Sequence, residues 1–172
     1  GVKTVKTGYD HIEEMGVKAI QLMPMFDYDD SEDEEHYSYN WGYNPLNYNC
    51  VEGAYSSDPF YATTRITEFK KLVMAYAKNK NKTRTIMDVV YNHVSSASDS
   101  NFNKLMPKYY FRFDETWTYF MDASGCGNEV KSEAPMMRKF IIDSLCMWAR
   151  EYKVKGFRFD LMGIIDYVTM NK

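Results

Sequence analysis

The sequence predicts an α/β fold in which parallel strands are joined by crossover helices. Three observations lead there. Helix-like and strand-like segments alternate along the chain, with no internal repeat. The strand-like segments are short, apolar and bounded by Gly, Pro or polar residues. The two long polar stretches, at about 26–61 and 94–131, each follow a strand, and the C-terminal ends of strands are where parallel α/β folds carry their chemistry.

Each element has its own signal. Tyr9 to Met15 reads as the end of a helix, with Gly16 placed to stop it. Val17 to Met23 is a short buried strand halted by Pro24. The acidic run at 27–35 in the first long stretch reads as a solvated loop, because dense like charge repels compact structure. Arg65 to Asn79 is an amphipathic helix: Ile66, Phe69, Val73 and Tyr76 recur at helical spacing, with Lys70, Lys71 and Lys78 off that stripe. Thr83 to Tyr91 is the second strand. After the second long stretch, Ser132 is the expected cap of a third helix, Pro135 falls in its tolerant first turn, and Met137, Phe140, Ile141, Leu145, Trp148 and Tyr152 make one face. Lys155 to Leu161 is the third strand, and Ile164 to Met170 begins another helix.

Composition narrows the function classes. The chain has 172 residues, 45% hydrophobic and 26% charged, which excludes a disordered tail and suits one domain or a piece of a larger one. A formal net charge of -3 gives no electrostatic reason to expect nucleic acid or an anionic membrane as partner. No apolar run approaches the ~20 residues of a membrane span. Cys50, Cys126 and Cys146 are odd in number and lack metal-like spacing, so buried or idle thiols are expected rather than a disulfide scaffold. The chain opens on Gly1-Val2-Lys3-Thr4, so no compartment is readable from a targeting segment. Aromatics make up 16%, with 15 Tyr, enough either to fill a core or to line a site for a ligand presenting CH faces and hydroxyls.

Three motifs carry chemistry. In Gly156-Phe157-Arg158-Phe159-Asp160, strand alternation puts Arg158 and Asp160 on one face and the two Phe on the other. A neighbouring guanidinium favours an ionised carboxylate, which is what a glycosidase nucleophile requires; a structural ion pair has the same pattern. In Asp88-Val89-Val90-Tyr91-Asn92-His93, Asp88 is an acid in an apolar strand, costly to bury unless paired, and Arg158 on the adjacent strand is its natural partner. His93, at the strand end, is placed to hydrogen-bond a substrate hydroxyl or to serve the structure alone. Tyr39-Asn40-Trp41-Gly42-Tyr43-Asn44-Pro45 combines aromatic rings with turn residues, either a platform for sugar rings or a packed loop.

Taken together, these segments resemble the α-amylase superfamily, and within it the type I pullulanases and related debranching glycoside hydrolases. YNWGYNP at 39–45 resembles the pullulanase signature YNWGYDP, DVVYNH at 88–93 looks like the superfamily's first conserved region, and GFRFDLMG at 156–163 like its second. VEGAYSSDP and SGCGNE also read like that group. The resemblance implies a retaining hydrolase that cleaves α-1,6 branch linkages in α-glucans such as pullulan, limit dextrin or glycogen. Asp160 matches the nucleophile and Arg158 the residue that orients and ionises it. Tyr43 and His93 match residues that hold the sugar at the cleavage point, and Asp88 matches a supporting acid. Asn44 stands where the signature has Asp, keeping the hydrogen-bonding shape without the charge.

The resemblance implies no required cofactor. Asn92 matches a calcium ligand of many amylases, but pullulanases are not uniform here, so calcium stays open and no metal is assigned. The expected partner is an α-glucan, with neither nucleic acid nor membrane. The family's general acid, a Glu after the fifth barrel strand, has no counterpart up to Lys172. The chain is therefore expected to be a partial (β/α)8 barrel, about its second to fourth strands, and inactive alone. Two other readings remain: an α-1,4-acting amylase or branching transferase of the same superfamily, and a non-catalytic α-glucan-binding protein.

Overall fold

The computed structural model describes residues 4–29 and 39–172. Helix α1 (Gly8–Met15) ends at Gly16, whose left-handed φ of 74° lets its N–H reach the carbonyl of Glu13. Strand β1 (Ala19–Leu22) follows, then a short hairpin of β2 (Phe26–Tyr28) and β3 (Pro45–Val51). Helix α2 (Ala62–Lys78) leads to β4 (Arg84–Val89), and the second long stretch holds the short α3 (Asn101–Leu105). Helix α4 (Pro135–Glu151) then leads to β5 (Gly156–Phe159), a 3-10 turn at Met162–Ile164 and a final turn of helix, α5 (Tyr167–Met170).

The three sequence-predicted strands pair as one parallel sheet in the order β1-β4-β5. The register sets Gln21 opposite Ile86 and Asp88 opposite Arg158. Strand alternation divides β4: Met87 and Val89 go into the core, while Asp88 goes to the other face. Phe69 and Val73 of α2 and Met137, Ile141 and Trp148 of α4 cover the apolar face. Aromatic rings fill the space between, including Phe26 and Tyr91 at 5.3 Å and Trp148 and Tyr152 at 4.5 Å between centroids.

Several expectations are corrected. The 26–61 stretch is not all loop, since β2 and β3 pair antiparallel within it as a second, two-stranded sheet. Asp27 and Tyr28, from the acidic run, are buried in β2, where Asp27 takes Arg65 at 3.1 Å and Asn47 at 2.7 Å. Pairing offsets the charge that made the run look solvated. Residues 30–35 of that run lie outside the described residues. Ser132 does not cap α4, whose N-cap is Ala134 without a side-chain bond; the Ser132 hydroxyl instead accepts the Asp166 N–H at 2.9 Å. Ile66, expected on the buried stripe of α2, is exposed. For the thiols the idle alternative holds rather than the buried one: Cys50 and Cys126 are exposed, Cys146 is half-buried, and all are free.

The turn ahead of β3 is fixed by Gly42. Its φ is 83°, and a Cβ there would lie 2.8 Å from the ring of Tyr28 and 3.2 Å from Pro24. Gly42→Ala thus meets both an unfavourable backbone and a clash, and stability is expected to fall by about 1–3 kcal/mol. Denaturant unfolding measures this; an unchanged midpoint would show that the loop moves aside at no cost.

Candidate active site

The site grows from the C-terminal ends of β4 and β5. The N–H of Asp160 donates to the carbonyl of Val89 at 2.9 Å, carrying the parallel ladder one residue past β5. Asp160 is therefore pinned to β4 by its backbone before any side chain acts. One guanidinium nitrogen of Arg158, Nη1, then donates to Asp88 at 2.8 and 3.0 Å and to Asp160 at 3.0 Å. The expected pairing of Arg158 with Asp88 across the strands is present, and the same nitrogen holds both acids.

Asp88 is the hub on the β4 side, almost wholly buried. Besides Arg158 it accepts the Tyr43 hydroxyl at 2.8 Å and the Gln21 amide at 3.4 Å. Burial and the Asp88 hydrogen bond push the Tyr43 phenol up to about 12, so it remains a donor at any physiological pH. Asn92 serves the other end. Its Nδ2 donates to the Asp160 carbonyl at 2.9 Å and carboxylate at 3.2 Å, and its Oδ1 faces His93 Nδ1 at 2.5 Å. His93 Nε2 lies 3.2 Å from the Asn44 side chain, and the His93 carbonyl accepts the Tyr48 hydroxyl at 2.8 Å. All six residues singled out in the sequence thus join one continuous network.

The His93 ring is buried, with its Nε2 3.2 Å from Asn44 Oδ1, as the structural reading of this residue has it. Burial lowers its pKa below the ordinary histidine value, opposed in part by the Asp160 charge. Trp41 and Tyr39 are exposed, and from the signature it is Tyr43 and Asn44 that reach the network. Gln21 was missed; as a lone polar residue in an apolar strand it gave the same signal as Asp88. Both ends of the Asn92 amide are engaged, Nδ2 by Asp160 and Oδ1 by His93, and among the described residues no group of three or more His, Cys, Asp or Glu is gathered as a metal-binding set. A cavity of about 280 Å³ lined by Leu46, Tyr48, Phe102 and Phe140 touches none of the six residues.

No protein-family model matches the chain. Known proteins do. Over 165 residues, 95% of this chain, it is 41% identical to a pullulanase of Bacillus subtilis strain 168, of which it spans 23%. The solved pullulanase of Paenibacillus barengoltzii, in complex with maltohexaose and α-cyclodextrin, superposes with a TM-score of 0.93 at 47% identity, over 99% of this chain and 27% of that one. Over nearly its whole length the chain is thus homologous to pullulanases and related debranching enzymes, as a fragment of such a protein would be. The wider family is represented by isoamylase 3 of Oryza sativa subsp. japonica, 32% identical over 90% of this chain and 21% of that protein. The chain spans less than a quarter of the length of these pullulanase and isoamylase sequences.

Two measurements test the network. Arg158→Leu strands Asp88 with only neutral donors, and because Arg158 is 44% exposed the expected loss is about 1–3 kcal/mol, below that of a fully buried pair. A double-mutant cycle with Asp88→Asn should give clear coupling; additive losses would mean the two residues act independently. For His93, the neutral ring is the form the fold prefers. Its contribution is complete above the ordinary value of about 6.5 and is lost as pH falls toward the lower folded-state value, because the unfolded chain binds the proton first. His93→Gln should flatten that part of the acid-side decline, as read from unfolding curves at stepped pH; an identical pH dependence would show that His93 is as easily protonated folded as unfolded.

Proposed function

We propose that this chain is the nucleophile-bearing part of a retaining glycoside hydrolase that cleaves α-1,6 branch linkages in α-glucans such as pullulan, limit dextrin or glycogen. One observation carries the reading: a single arginine nitrogen within 3.0 Å of both Asp88 and Asp160, at the ends of adjacent parallel strands. The similarity to pullulanases supports the bond and the substrate class. In this reading β1, β4 and β5 are about the second to fourth strands of a (β/α)8 barrel, with 1–172 a part of its catalytic domain. The parallel order of the strands and the functional residues at their C-terminal ends support it.

Asp160 attacks the anomeric carbon and forms the covalent glycosyl-enzyme. Arg158 and Asn92 hold its carboxylate in place and aimed, which lowers the cost of ordering the attacking group at the moment of reaction. Asp88 fixes Arg158. Half-exposed Tyr43 offers a ring face to the sugar, and exposed Asn44 an amide. His93 reaches a sugar hydroxyl only when the Asn44 side chain gives way, since it lies beneath it. A second carboxyl group ~5–5.5 Å from the first must protonate the leaving oxygen and then activate water. No residue of this chain is assigned that role, so 1–172 alone is expected to leave pullulan uncut. The chemistry assigned to these residues uses no cofactor.

The full-length protein carrying this chain should release reducing ends from pullulan. Asp160→Asn should lower turnover by roughly 10³-fold or more while maltooligosaccharide binding survives. Turnover on amylose with none on pullulan would replace the α-1,6 assignment by an α-1,4 one, and glucan binding without any turnover would replace catalysis by binding.

A further inference from the structure

We infer that Arg112 is a positioning residue for Asp160, acting through the turn that follows it. The inference rests on the glycosidase reading above but on residues outside that network. Arg112 lies in the second long stretch with its side chain largely buried. Its Nε donates to both oxygens of Glu133 at 3.2 and 3.1 Å. Nη2 donates to Glu133 at 2.8 Å and to the Ser132 hydroxyl at 3.2 Å. Nη1 donates to Glu129 at 3.3 Å and to the carbonyl of Ile164 at 3.0 Å. Every nitrogen of the guanidinium is engaged, as suits a planar fork of five donors.

The Ile164 contact reaches the site. Ile164 lies four residues beyond Asp160, and between them Leu161 has φ 43° and ψ 43°. An L-residue keeps that left-handed conformation only when its surroundings hold it there. The Leu161 side chain is exposed, so its own packing does not. The turn is instead pinned at both ends. Upstream, the Asp160 N–H is bound to Val89. Downstream, Arg112 holds the Ile164 carbonyl, and the Ser132 hydroxyl it also contacts accepts the Asp166 N–H at 2.9 Å. The neighbouring segment is tied to β4 as well: the Val130 N–H donates to the Asn92 carbonyl at 2.8 Å. Arg112 thus joins the segment after β4 to the segment after β5, and the direction of the Asp160 carboxylate depends on that join. A lysine, with one compact ammonium, cannot serve both carboxylates, the hydroxyl and the carbonyl.

The test uses the full-length protein, with pullulan and α-maltosyl fluoride as substrates. The fluoride leaves without acid assistance, so it reports on the nucleophile's attack. Arg112→Lys is expected to lower kcat about 10- to 100-fold on both substrates with KM within about twofold. Glu133→Gln, which leaves the Ile164 contact in place, is expected to stay within about twofold of the parent. If Arg112→Lys does not fold, Ser132→Ala decides, with an expected loss in kcat of about 3- to 10-fold at unchanged KM. A lowered melting temperature with kcat per folded site unchanged would make Arg112 merely structural and overturn the inference. A parent protein that cuts neither substrate would instead overturn the glycosidase reading itself.

Discussion

A guanidinium shared between two carboxylates on neighbouring strands is the constraint on which the rest of the site depends. Asp88 sits on β4 between the buried Met87 and Val89, where an unpaired carboxylate would be costly. Arg158 removes that cost because parallel pairing puts the two residues directly opposite each other. Once Arg158 is held, Asp160 two residues on meets the same nitrogen. The arrangement leaves one net negative charge, tolerable because the arginine is only partly covered and solvent screens the pair.

The remaining parts come from connections that the core holds in place. The hairpin delivers Tyr43 and Asn44, and it is anchored by Phe26 and Tyr48, whose rings pack among Tyr91 and Trp148. Tyr48 contributes twice, since its hydroxyl also holds the His93 carbonyl. The second long stretch is fastened from within: Asn128 bonds both the N–H and the carbonyl of Val94, at 3.1 and 2.7 Å. These stretches read as loops by sequence, yet ring packing and side-chain hydrogen bonds to the backbone hold them in place.

Legibility followed periodicity only in part. Helices α2 and α4 were readable because burial of one face imposes a period of 3.6, while α1 and β1, which bury no residue, were marked by Gly16 and by an apolar run ending at Pro24. The hairpin was not legible. The buried residues of β3 are Pro45, Tyr48 and Val51, three apart rather than two, and the register shifts along its pairing with β2. Asp27 misled for a different reason, because its partner Arg65 lies 38 residues away and no local pattern announces it. Ser132 has the residue type of a helix cap, but tertiary partners claimed its hydroxyl. Tyr43 and Asn44 were picked out by the resemblance of YNWGYNP to a family signature, and Asp88, His93, Arg158 and Asp160 were legible because polar side chains at strand ends and within apolar strands stand out. Gln21 fitted that rule and was passed over, whereas nothing local distinguished Arg112 from a surface charge.

The two faces of the parallel sheet differ in kind, with Met87 and Val89 against aromatic rings and Asp88 and Arg158 turned away from them. That sidedness makes the alignment of β4 self-correcting during folding. A slip of one residue against its neighbours would swing Asp88 among the rings of the core and turn Met87 and Val89 outward, losing the apolar burial and the ion pair together. A misaligned pairing is therefore disfavoured on both counts, and the carboxylate that organises the site also discriminates against a wrong register.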